Sequence, residues 1–147
     1  MKTTRLSTRT KSILVTVFTV AMIFSLNSYA SKPKFLPSSV VPSSEGYVKV
    51  KKDKNNNYAI EINIYNLPEA NRLDPPKKTY IVWMVTGDDL TKNMGQINTS
   101  KGALSKTSKS YFKTVSPFKP TKVFITAEDE TLLQEPGRHL VISTDRF

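Results

Sequence analysis

A chain of 147 residues with no cysteine forms no disulfide, carries no lipid on a cysteine, and neither does thiol chemistry nor binds zinc through thiolates. Its 22 basic and 12 acidic residues give a formal net charge of +10, an excess that favours solubility and attraction to anionic polymers but does not specify a fold. The length suits a single domain.

Lys2, Arg5, Arg9 and Lys11 precede an apolar stretch from Ile13 to Leu26, and "NSYA" closes it with small residues. This is the pattern of a signal peptide over residues 1–30, with cleavage expected between Ala30 and Ser31 and a periplasmic or extracellular destination. An uncleaved N-terminal anchor is the alternative, although the stretch is shorter than the roughly 20 residues of a membrane-spanning helix. Losing residues 1–30 leaves 18 basic and 12 acidic residues, net +6, in a mature chain expected to be soluble. Residues 31–45 begin "SKPKFLPSSVVPSS", with three prolines and five serines, and read as an extended tether.

The folded domain is expected over residues 46–147. "YVKVK" alternates, and "YAIEINIY" puts Tyr58, Ile60, Ile62 and Ile64 on one face with Glu61 and Asn63 on the other. The "DKNNN" between them supplies a hairpin turn, since Asn tolerates positive φ. "LPEANRLDPPKK" is too rich in proline and polar groups for a strand and reads as a connection that crosses between sheets.

"TYIVWMVT", residues 79–86, is apolar on both faces, the pattern of a central strand, with Trp83 as a packing anchor. "GDDLTKN" follows as a turn in which Asp88 and Asp89 are solvated turn formers. "MGQIN", "SYFKTV", "KVFITA" and "HLVIST" bring the count to about seven strands, while "EDETLLQ" at 128–134 is the one place for a short helical turn, ended by Pro136-Gly137. The whole predicts an all-β fold, an antiparallel β-sandwich of immunoglobulin-like general architecture. A membrane β-barrel ending at Phe147 is set aside, because Ser143 and Asp145 break the expected apolar alternation and seven strands fall below the usual eight.

Tyr80, Trp83 and Gly95 give a Tyr-x-x-Trp strand, a turn and a Gly-led strand, and Thr126, Glu128, Pro136 and Gly137 sit in "VFITAEDETLLQEPGRHLVIST". Over roughly residues 46–145 this resembles the extracytoplasmic C-terminal domain of the anti-sigma-K factor family, although Asp129 stands where that family usually has proline. The resemblance implies a β-sandwich outside the membrane, here expected without the family's sigma-binding module.

For catalysis the chain offers a single histidine, His139, and no Gly-x-Ser-x-Gly element to make a Ser-His-Asp set with Asp145. The cluster of Glu128, Asp129, Glu130 and Glu135 has no calcium-loop spacing and reads as a solvated loop or an interaction patch. Lys109, Lys113, Lys119 and Lys122 interleave with Tyr111, Phe112, Phe118 and Phe124, a composition shared by single-strand nucleic-acid surfaces and by strands with lysine outward and aromatic inward. Export favours the second reading.

No enzyme, cofactor, metal site or nucleic-acid partner is expected. The expected role is a binding module that meets another envelope protein through the loops at 86–93 and 128–138, with Asp88, Asp89, Glu128, Asp129 and Glu130 as candidates. The alternative is a small-molecule or carbohydrate-binding protein, for which Tyr47, Tyr65 and Tyr111 are better platforms than Trp83.

Overall fold

The computed structural model describes residues 32–100 and 107–147; the expected signal peptide and its Ala30–Ser31 cleavage site lie outside the described residues. Eight strands follow in order: β1 (Glu45–Lys52), β2 (Tyr58–Tyr65), β3 (Thr79–Thr86), β4 (Thr91–Ile97), β5 (Thr99–Ser100), β6 (Lys109–Ser116), β7 (Pro120–Glu128) and β8 (Leu140–Ser143). They make two four-stranded sheets, ordered β1-β2-β6-β5 and β4-β3-β7-β8, with every pair antiparallel. Lettered A, B, C, C′, D, E, F, G, this is an ABED sheet facing a C′CFG sheet, the general immunoglobulin architecture. The seven strands read from the sequence are all present. The eighth, Thr99–Ser100, has two polar residues and no apolar alternation to announce it.

The core lies between the sheets. Val48, Ile60, Ile62 and Ile64 from the first sheet meet Tyr80, Val82, Met84, Val123, Ile125 and Ile142 from the second. Each aliphatic side chain buried there contributes about 1.5–3 kcal/mol. The β1–β2 turn forms because Asp53 accepts from the backbone N–H of Asn55 and Asn57, both at 2.8 Å, while Asn56 takes a φ of 63°.

Two expectations need correction. The Pro/Ser-rich segment is not a free tether, at least from residue 33 onward. Val48 N–H donates to the Pro33 carbonyl (2.8 Å), Phe35 N–H to Gly46 (3.0 Å) and Leu36 N–H to Ser143 (2.8 Å), while Phe35 and Val41 join the core. Proline keeps the segment extended, which allows it to lie along strand edges, and its apolar residues supply the reason to stay there.

The helical turn expected at 128–134 is also absent: Glu128 ends β7, and the chain beyond it runs irregularly to β8. Among the described residues the one helical segment is a 3-10 turn at Ala70–Arg72. It lies in the proline-rich connection that carries the chain from the first sheet to the second. No helix among the described residues is long and apolar enough to cross a membrane.

Candidate functional site

Trp83 is fully buried but belongs to the other side of its sheet. Its neighbours Val82 and Met84 face the sandwich core, so strand alternation turns Trp83 outward, together with its β7 partner Phe124 and with Thr126. The Trp83 and Phe124 rings stack with centroids 6.4 Å apart, and the indole N–H donates to the Thr126 hydroxyl at 2.8 Å.

The connection from Asp129 to His139 crosses this outer face. Asn93, paired with Trp83 across β3 and β4, donates its side-chain amide to the carbonyls of Thr131 (3.3 Å) and Leu133 (2.9 Å). Farther along, Gly137 N–H donates to Glu128 Oε1 at 2.8 Å. A Cβ on Gly137 would sit 2.7 Å from that same oxygen, so any larger residue there has to push the Glu128 carboxylate aside.

The acidic candidates differ in their surroundings. Glu128 is 6% exposed and anchors the connection, which removes it as an interaction residue. Asp129 turns to Lys77 at 2.7 Å, and this hydrogen bond and charge hold its carboxyl below the ordinary range. Glu130 and Glu135 are exposed. Among the described residues no three metal-ligating side chains converge.

Asp88 and Asp89 lie in the exposed β3–β4 turn. Asp89 N–H donates to the Thr86 carbonyl at 3.1 Å with a φ of 60°, and its carboxylate pairs with Arg146. Asp88 has no ion pair or hydrogen bond among the described residues. His139 is exposed, and no hydrogen bond joins its ring to a serine or carboxylate among the described residues.

The residues of the family resemblance divide in the same way. Trp83 meets Thr126 and Glu128 meets Gly137, whereas Tyr80 faces the core and donates its hydroxyl to the Pro68 carbonyl at 3.0 Å. Gly95, at a φ of 119°, lies one residue from an irregularity in β4.

The largest convergence is on the opposite side of the molecule, on the outer face of the first sheet. Register places Tyr47, Asn63 and Tyr111 side by side across β1, β2 and β6. The next row is Lys49, Glu61 and Lys113, followed by Lys51, Ala59 and Val115, while Glu45, Tyr65 and Lys109 lie on the other side of the tyrosines. Neighbouring strands are about 4.8 Å apart, so Tyr47 and Tyr111 stand roughly 10 Å from each other with Asn63 between them.

Tyr111 is 53% exposed. Lys32 Nζ lies 5.9 Å from the Tyr47 ring centre and Lys109 Nζ 5.8 Å from that of Tyr65. Glu61 sits between two ammonium groups, 3.3 Å from Lys113 and 3.6 Å from Lys49. The Lys113 hydrogen bond, reinforced by the charge of Lys49, keeps its carboxyl below the ordinary range.

The sequence proposed Tyr47, Tyr65 and Tyr111 individually, and the structure puts all three on one face. Lys49, Lys51, Glu61 and Asn63 were missed as their company; the alternation of "YVKVK" and "YAIEINIY" carried the signal, but the pairing of β2 with β6 did not show. The lysine-aromatic segment disperses instead: Phe112 turns inward, Phe124 stacks on Trp83, and Phe118 lies under Lys92 Nζ at 5.5 Å. No family model, no curated protein and no solved structure matches the chain.

Proposed function

We propose that this protein is an exported, non-catalytic binding module of the bacterial cell envelope whose binding surface is the outer face of β1, β2 and β6. The observation that carries this reading is the row Tyr47–Asn63–Tyr111 with Tyr65 beside it, on a sheet face left open by the described chain. Aromatic rings on a flat face offer apolar platforms to sugar rings, and the intervening amide offers hydrogen bonds. The buried centre of a protein–protein contact is depleted in lysine, and this face is rich in it. The geometry therefore favours a carbohydrate or other small ligand over a protein on this surface.

Contact with another envelope protein is the second reading, and Leu90 and Phe118 favour it. They are 53% and 44% exposed on neighbouring connections at one end of the sandwich, joined by the Gly87 N–H to Lys119 carbonyl bond at 3.2 Å. The resemblance to an extracytoplasmic sandwich domain agrees with either.

The test is a thermal-shift screen of the purified protein against a glycan panel, paired with in-cell cross-linking. A melting shift that disappears in Tyr47→Ala and Tyr111→Ala supports the face. No shift across the panel, with an envelope protein captured through residues 86–91 or 116–120, would replace it with the second reading.

A further inference from the structure

We infer that the ligand of this face is an acidic polysaccharide bearing carboxylates along its chain, an inference that rests on the binding face proposed above. Lys49, Lys51, Lys109 and Lys113 project from the same face as the tyrosines, with Lys32 reaching in over Tyr47. Against them stand Glu45 and Glu61. Lys51 and Lys109 pair with no carboxylate among the described residues, and Lys49 and Lys113 share the single carboxylate of Glu61. The face therefore holds an uncompensated positive charge beside its aromatic row.

The match to a carboxylate is visible in the chain itself. Glu61 fits between two ammonium groups spaced across β1 and β6, and each of those groups has three donors, of which Glu61 occupies one direction. A ligand carboxylate can approach the same lysines from the solvent side while its sugar ring rests on Tyr47 or Tyr111. Lys109, on the far side of the tyrosine row, gives a second carboxylate a place two rows from Lys113. A neutral glycan would use the rings and leave this charge unanswered, and a compact polyanion would use the charge and leave the rings unanswered.

Affinity electrophoresis of the full-length protein separates these cases, with gels containing polygalacturonate, neutral dextran, polyphosphate or an oligonucleotide. Retardation by polygalacturonate alone is expected, weakened about tenfold or more by Tyr111→Ala or Lys113→Ala and declining between low and physiological salt. Leu90→Ala, at the far loop, should leave it unchanged, and a melting curve confirms that each variant is folded. Equal retardation by dextran would overturn the acidic ligand but keep the binding face. Equal retardation by all three polyanions, indifferent to Tyr111→Ala, would reduce the face to unspecific charge. No retardation in any gel, with no glycan shift in the screen above, would remove both.

Discussion

The Trp83 indole N–H donates to the Thr126 hydroxyl at 2.8 Å on the side of the second sheet that faces away from the sandwich core. Both residues are buried, so the protein has a second apolar layer, roofed by the β7–β8 connection. Trp83→Ala should cost about 3–5 kcal/mol. Thr126→Val, which keeps the shape and strands the indole donor, should cost about 1–3 kcal/mol. Urea denaturation followed by far-UV circular dichroism measures both, since Trp83→Ala removes the only tryptophan, and a neutral Thr126→Val would show that the hydrogen bond contributes nothing.

Glu128 and Gly137 form the other fastening of that roof. Glu128→Ala removes the acceptor and should destabilise the protein by about 1–3 kcal/mol, while Glu128→Gln retains an acceptor oxygen and should lose less. Gly137→Ala forces the carboxylate aside, so its effect and that of Glu128→Ala should overlap in the double variant rather than add. Additive losses in melting experiments would place the two residues in separate structural roles.

Asn93→Ala cuts both side-chain bonds to the connection but leaves β4 paired to β3. Its main expected effect is local: faster amide hydrogen exchange across residues 129–139, with a smaller change in the global melting temperature. Uniform acceleration throughout the domain would contradict that division.

Burial pushes the Tyr80 hydroxyl up to about 12 from its ordinary value of 10.0. Between those values the folded chain holds a proton that the unfolded chain has lost. Tyr80 therefore contributes stability that is full below about pH 10 and disappears as the pH rises through about 12. Tyr80→Phe should lose about 0.5–1.5 kcal/mol near neutrality through the missing bond to Pro68 and then decline less steeply in the alkaline range. Lysines titrate in both proteins, so the difference between the two pH–stability curves isolates Tyr80; parallel curves would exclude it.

Local pattern carried most of the fold. The alternation of β2 gave its buried isoleucines, and the all-apolar β3 announced a strand covered on both faces. Pattern could not say what covers the outer face, because the roof over Trp83 is the β7–β8 connection, fastened through Asn93, Glu128 and Gly137, polar or small residues that look like loop chemistry. The same limit hid the tyrosine face. Tyr47, Tyr65 and Tyr111 lie on three strands, and only the pairing of β2 with β6, across three intervening strands, brings Tyr111 beside Asn63. Phe35 and Val41 stand among prolines and serines, a composition that hides two core residues.

The segment that carries Phe35 also has a mechanical meaning. It bonds to β1, an edge of the first sheet, through Pro33 and Phe35, and to β8, an edge of the second, through Leu36. A pull applied at Lys32 meets bonds to both sheets within a few residues, first to β1 at Pro33 and Phe35 and then to β8 at Leu36. A domain held by that end to a surface under shear would load the edge of its first sheet and, three residues on, the edge of its second.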